Sequence, residues 1–526
     1  MKLTIKIDSI LNGQASLQYF GKGGQFKNSL ALDLDNEATA GDNRAGGILT
    51  PTPSIALTGD TMDAEPLWMN TTPKTDNVFV YDQSGKVYEV VLSTYAISDL
   101  NRGVALSSSS GNGAAYYDNN QYWAKNTDIA RRGPLNGAFT INETYWTSTL
   151  SQSALGNGVT YPAPKIGTSK YPNHVMHSHV DDKLYICDVG AGGAGSNNLG
   201  MIHYIKTKKV TTEGDTNNGS TYNALDLGFG IWPTALETYG TDLVIAGYEG
   251  DTSGGRTRGL RAKLYFWDTT SSSFNKEVEL PDPLCSALKN VNGVLYAFCG
   301  NPGDMGVRVL RFVGGYSFEE VAYLEDSQPP FHGAVDHLLN RVLFGGFSSS
   351  MSNEGSLYAL GSKISGISLG LHNIMRTTAT TSTGTGVLSV LVPENTDFTN
   401  PSYLIGWRTA STFGIDRNAT TYGLARFQSE VFRIGKPFII NKIRIPLAQA
   451  VGANMTLEAK LVVDNESTTT NMGVINSTNF SASERFVELR TAATGKDDFY
   501  LQLSWYGTSL LSVSLPIEIE VETIDE

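Results

Sequence analysis

The chain has 526 residues, of which 40% are hydrophobic and only 17% charged, and its formal net charge is −13. An acidic chain whose densest basic run is KTKKV at 206–210, read as a solvated strand end, does not grip nucleic acid by phosphate neutralisation. Abundant Gly, Ser, Thr and Asn, without a helix-length window of 3.6-residue periodicity, exclude a helical protein and point to short strands joined by many turns.

Taken in chain order, MKLTIKIDSILNGQ alternates apolar and polar residues and has neither the apolar core of a secretory signal nor the length of a membrane span. Residues 1–54, ending in LTPTPS, read as an extended N-terminal arm or strand. Within it, DLDNEATAGDNR at 33–44 begins like a calcium loop, but Ala38 stands where glycine is required and Arg44 where the bidentate glutamate belongs, so no calcium site is expected.

Residues 55–424 carry a repeat. HVMHSHVDDKLYICD (174–188), PTALETYGTDLVIAG (233–247), CSALKNVNGVLYAFC (285–299) and HGAVDHLLNRVLFGG (332–346) align without gaps. Each is a strand, a short polar turn and a second, more apolar strand, the pattern of a β-hairpin. WMNTTPKTDNVFVYD (68–82) and NGAAYYDNNQYWAKN (112–126) fit more loosely, and a seventh unit near 393–407 ends in PSYLIGW. Third strands come next at GKVYEVVL (85–92), GMIHYIKT (200–207), AKLYFWDT (262–269), VRVLRFVG (307–314) and GSLYALGS (355–362). Four strands per unit of this length is the signature of a β-propeller, here irregular and six- or seven-bladed, with seven preferred.

The repeat governs how the histidines read. His174, His177 and His179 fall within six positions, a density that raises the question of a metal site. In the ungapped alignment the sister units carry Leu236, Leu288 and Val335 at the position of His177, so a structural or channel-lining role is expected and no metal. Cys187, Cys285 and Cys299 lie in apolar strand-like runs and read as reduced core thiols. Sequons such as those at Asn70, Asn142 and Asn418 read as chance in an Asn/Thr-rich chain. GAGGAG at 190–195 satisfies G-x-G-x-x-G but is followed by strand-like sequence where dinucleotide binding needs a helix, so no cofactor is expected. No catalytic residues are assigned, and the chain reads as a non-enzyme. Loops at 188–200, 247–261, 299–306 and 345–356 are expected to emerge on one face of the disc, and those at 188–200, 247–261 and 345–356, or the C-terminal module, to contact other protein subunits.

From about 425 the periodicity becomes plain inside/outside alternation. Met455, Leu457, Ala459, Leu461 and Val463 form one face of a strand, Phe499, Leu501, Leu503 and Trp505 another, and Leu515, Ile517, Ile519 and Val521 a third. Residues 425–526 are therefore expected to form a C-terminal β-sandwich, jelly-roll or immunoglobulin-like.

The all-β organisation, the lead-in GKGGQFKNSLALDLDNE, the loose propeller repeats and FRIGKPFIINKIRIPL opening the terminal module resemble structural proteins of tailed-bacteriophage virions, of the tail nozzle and tail-tip type. The resemblance implies a virion protein of the tail or neck, made in the host cytoplasm and assembled as a symmetric homo-oligomeric ring with copies of itself and other virion proteins. It also implies an acidic surface near DNA in a tail lumen. Alternatives are a propeller that binds a host surface glycan or receptor, or a glycan-cleaving enzyme.

Overall fold

The computed structural model describes residues 2–14, 25–35, 47–72, 75–100, 113–124, 128–132, 141–147, 175–190, 199–206, 221–249, 261–301, 305–325, 327–346, 355–363, 369–379, 385–393, 402–418, 424–481 and 483–524. The fold is all-β. Its only helical element among these residues is one 3-10 turn, His332–Ala334, and no helix is long and apolar enough to cross a membrane.

Among the described residues seven sheets succeed one another along the chain, antiparallel except where Thr58–Gly59 runs parallel to Ala96–Asp99 at the edge of the first. Their first strands are Pro66–Thr72, Gly113–Tyr117, Met176–His179, Ile231–Tyr239, Leu284–Val291, Val335–Leu338 and Gly386–Leu391. Each first strand pairs with the strand that follows it, across a turn of two or three residues in the second to sixth sheets; in the seventh its partner is the more distant Leu404–Arg408. The expectation of a seventh hairpin near 393–407 is corrected accordingly. PSYLIGW supplies the second strand, but the first strand lies earlier, at GVLSVL, because the connection is too long for an ungapped match.

The first strands touch one another in cyclic order: the first sheet's contacts the second's, and so on to the seventh, which returns to the first. Each sheet thus covers its neighbour's face, and a shared apolar core runs around the circle through Trp68, Trp123, Tyr185, Trp232, Leu343 and Val387. Close approach between sheets requires small residues. At Gly345 in the sixth sheet, an added Cβ would stand 2.6 Å from Val387 of the seventh.

The circle is closed by sequence-distant strands. Ser54–Ala56 pairs with Phe413–Asn418 as the outer strand of the seventh sheet, and the Leu57 N–H donates to the Ile415 carbonyl at 2.8 Å. Joining the first and last sheets through an N-terminal strand removes the free edges that an open ring would leave. Beside this seam, buried Asp416 accepts from the Thr378 amide at 2.5 Å, the Thr378 hydroxyl at 2.9 Å and Trp407 Nε1 at 2.7 Å. The seam therefore ties the sixth sheet to the seventh.

Among the described residues three further sheets share a second apolar core. One contains Lys2–Ile7, Ile517–Thr523, Phe438–Pro446 and Phe486–Leu489; another contains Gln25–Leu30, Ala425–Ser429, Asp498–Gly507, Met455–Val463 and Thr468–Asn476; a small third joins Ile48–Pro51 to Leu32–Asp33 and Val513–Ser514. The alternation read from the sequence sets their inner faces, with Leu457, Ala459, Leu461, Ile517, Ile519 and Val521 buried. The N-terminal segment is not a separate lead-in arm. Lys2–Ile7 pairs with Ile517–Thr523 and Gln25–Leu30 with Ala425–Ser429, so residues expected to precede the folded bodies are built into the C-terminal one. Its apolar alternation matches that of the C-terminal strands, but pairing across some 500 residues leaves no local trace in sequence.

Candidate functional site

Cross-strand register determines which side chains face the middle of the circle. In the third sheet His177 pairs with Tyr185, and in the fourth, fifth and sixth sheets the residues aligned with Tyr185 pair with Glu237, Lys289 and Asp336. The same rule gives Asn70 in the first sheet, Ala114 in the second and Leu391 in the seventh. All seven line one central cavity of about 440 Å³.

This corrects the equivalence drawn from the ungapped repeat. The third sheet turns from first to second strand through three residues, 180–182, whereas the fourth, fifth and sixth use two. The extra residue slides its first strand by one position. The true counterparts of His177 are therefore Glu237, Lys289 and Asp336, not Leu236, Leu288 and Val335. A one-residue slip exchanges the two faces of a strand. The expectation of a channel-lining histidine stands, but the aliphatic counterparts offered against a metal do not.

The polar groups of the cavity are partly committed to one another. Lys289 Nζ lies 3.0 Å from Asp336 Oδ1, and Asp336 Oδ2 accepts from the Val392 amide at 2.7 Å. Burial alone would raise the Asp336 carboxyl; Lys289 holds it below the ordinary carboxylate range. Burial works against the charge of Lys289 as well, and Asp336 and Glu237 together keep its pKa above the ordinary value. Glu237 Oε1 accepts from the Thr238 amide at 2.9 Å and lies 3.9 Å from His177 Nε2. His177 Nε2 is 2.7 Å from the Thr238 hydroxyl.

His332 reaches the same cavity by a different route. It stands on the 3-10 turn, not on the first strand of the sixth sheet as the repeat suggests, and the strand begins at Val335. The turn wedges against the first sheet, where an added Cβ on Gly333 would fall 2.4 Å from the Leu67 carbonyl. His332 Nδ1 accepts from the Leu288 amide at 3.4 Å, and its ring meets Trp68 edge-on. Burial lowers the pKa of His177 to about 3 and that of His332 to about 4, so both imidazoles are neutral at pH 7.

The other residues singled out in the sequence sit elsewhere. His174 lies outside the described residues. His179 caps the third sheet's turn, with Nδ1 3.0 Å from Asp181 Oδ1 and its ring edge-on to Tyr185, so His177 and His179 have separate partners. Cys187, Cys285 and Cys299 are buried free thiols. Gly190 ends a strand and Leu199–Ile205 is the next one, so the G-x-G-x-x-G stretch opens no helix, although 191–198 lie outside the described residues. Most of the loops at 188–200, 247–261 and 345–356, and residues 302–304 of the fourth, also lie outside them. GISLG at 366–370, between two repeat units, fits G-x-S-x-G literally. Residues 364–368 are outside the described set, and the next element is the strand His372–Arg376, not the helix of a nucleophile elbow.

Asp33 and Asp35, the opening of the calcium-like stretch, are instead held by the sixth sheet. The fully buried guanidinium of Arg341 donates to Asp33 Oδ1 at 3.0 Å, lies 3.8 Å from Asp35 Oδ2 and reaches the Tyr403 hydroxyl. Asp35 also accepts from the Ser362 hydroxyl at 2.7 Å and the Lys363 amide at 2.5 Å. The carboxylates thus clamp the N-terminal segment to the sixth sheet; residues 36–44 of the calcium-like stretch lie outside the described residues.

No family model matches the sequence, and no curated protein matches it. Among solved structures the chain is similar to the β-propeller domain of Cps50 (Swd1) from Myceliophteria thermophila, at 9% identity and a TM-score of 0.42, covering 70% of this chain and 100% of that one. It is also similar to the computationally designed Ika8 protein, at 11% identity and a TM-score of 0.38, covering 68% and 98%. A third similar structure is the Dos1 propeller, at 9% identity and a TM-score of 0.35, covering 65% and 74%.

Proposed function

We propose that the chain is a rigid, non-enzymatic assembly scaffold: a seven-bladed β-propeller fused to a β-sandwich, serving as a structural component of a particle. The observation that carries this reading is the path of the N-terminal segment. It contributes strands to all three sheets of the second body, passes through the buried Asp33–Asp35–Arg341 clamp and ends as the strand that closes the ring. One segment thereby couples the two bodies covalently, through sheet pairing and through buried charge. That coupling suits a part which transmits load and offers broad fixed surfaces. It suits a hinged enzyme poorly, because lids and closing domains need weakly held segments.

The particle we propose is a tailed-bacteriophage virion, with the protein in its tail or neck as a ring of identical copies. This rests on the resemblance in sequence organisation. Immunogold labelling and reconstruction of particles purified from a host expressing the protein test it, and density for the propeller repeated around a symmetry axis is expected. A protein recovered only as a free monomer that cleaves glycosides would reject both the particle and the non-enzymatic reading.

A further inference from the structure

The geometry points to the central cavity as a binding site for an uncharged saccharide residue. This inference goes beyond the scaffold reading and does not depend on it. The cavity volume, about 440 Å³, lies within the range of small-ligand sites, and its walls mix apolar surface with a few convergent polar groups.

Three observations select the ligand chemistry. First, the wall holds open acceptors. Asn70 Oδ1 is buried without a hydrogen-bond partner among the described residues, and only one oxygen of Glu237 is engaged, by the Thr238 amide. A buried acceptor left unpaired costs about 1–3 kcal/mol, which a ligand hydroxyl would relieve. Second, the charges leave no place for an ion. Lys289 is matched by Asp336 at 3.0 Å, and the remaining charge on Glu237 repels phosphate, sialic acid and nucleic acid. A second cation would meet Lys289, which already serves both carboxylates. Hydroxyl groups, which donate to carboxylates and accept from an ammonium, fit this wall without adding charge. Third, Trp68 and the half-buried ring of Tyr116 border the cavity and offer surface to the C–H face of a pyranose.

The test is saturation-transfer NMR and calorimetry on the full chain. Probes are neutral hexosides, N-acetylglucosamine and their short oligomers at about 10 mM, where a millimolar Kd still gives high occupancy. Sialyllactose and arginine amide serve as charged comparators. Neutral saccharides are expected to bind, and Glu237→Gln and Asn70→Ala to weaken them about tenfold or more, with unchanged melting temperature. Leu391→Trp, which fills the cavity from the seventh sheet, is expected to abolish binding. If a variant fails to fold, ligand-induced shifts of the His177 and His332 ring protons in the unaltered protein locate the site instead. Absence of binding by every neutral probe, binding that survives all three substitutions, or preference for arginine amide would each overturn the proposal. None of these outcomes bears on whether the protein assembles into a particle.

Discussion

Replacing Arg341 with methionine isolates the clamp between the N-terminal segment and the ring. The guanidinium is fully buried, so its loss leaves the Asp33 carboxylate, itself 5% exposed, with the Asp35 amide at 2.9 Å as its remaining donor, Lys363 as its remaining cation and neutral His372 at 4.0 Å. Removing one partner of a buried ion pair costs about 3–5 kcal/mol where the other charge stays desolvated and uncompensated, and the field of Lys363 puts this site toward the lower end. Asp35 suffers less, since Ser362 and the Lys363 amide still hold it. The junction's opening equilibrium should therefore rise by about two to four orders of magnitude. Native-state hydrogen exchange reads this directly. The Ala31 amide donates to Asn373 Oδ1 and the Asn373 amide to Ser29 Oγ, both at 3.1 Å across the junction. Both should exchange faster by that factor, while Val244 in the fourth sheet is unchanged. The double variant Asp33→Asn/Arg341→Met should recover much of the loss, because it removes the stranded charge. Less than tenfold acceleration at Ala31, or a double variant that loses the sum of the two singles, would refute the reasoning.

Other expectations rest on the same contacts. His372 is fully buried beside Arg341, Asp33 and Lys363, and burial lowers its pKa to about 4. Unfolding therefore takes up a proton between about pH 6.5 and 4, so this contribution is full above 6.5 and falls with pH by about 1.4 kcal/mol per unit. Asp33 adds its own loss only below about pH 4, where the unfolded carboxylate protonates. Denaturant titrations at pH 7 and 5 should show this slope added to the equal slopes of buried His177 and His332, and His372→Phe should reduce the total by about a third; an unchanged slope would assign the effect elsewhere. Leu57→Pro removes the N–H that bonds the Ile415 carbonyl at the ring seam and should cost about 1–3 kcal/mol in urea unfolding. A loss under about 1 kcal/mol would mean that the closing strand does not bear on stability. Burial pushes the Cys187 and Cys299 thiols well above their ordinary pKa, so a thiol reagent should label neither in the native protein and both after unfolding. Labelling at native rates would contradict their burial.

The strands themselves were legible because their periodicity is local. VRVLRFVG forms the strand Val307–Gly314 that its apolar pattern marks, and the alternation in 455–463 and 517–521 sets the inner faces of the second body. Ring closure and the clamp were not legible. They join Ser54–Ala56 to Phe413–Asn418 and Asp33 to Arg341, across more than 300 residues, and neither pattern nor turn chemistry reports such pairings. Asp33 and Asp35 show what a failed motif leaves open. Ala38 and Arg44 argue against a calcium loop, but nothing local says that an arginine from a distant strand pairs with Asp33.

The cavity was the subtler case, because its residues were in view but placed out of register. An ungapped alignment weights the second strands, which are apolar and alike, and thereby assumes equal turns. The turn at 180–182 has one residue more than its counterparts, and that residue alone decides whether His177 stands with Leu236 and Leu288 or with Glu237 and Lys289. Aligning backward from each turn instead of forward from each strand would have recovered the ring. The residues two positions before the last of each first strand then read His177, Glu237, Lys289 and Asp336, four ionisable side chains in consecutive units where a packed core would place aliphatics. Buried ionisable groups are costly unless paired or used. Their recurrence at one level of a ring is the sequence signal for the cavity, and it becomes visible only when turn length is counted as part of the repeat.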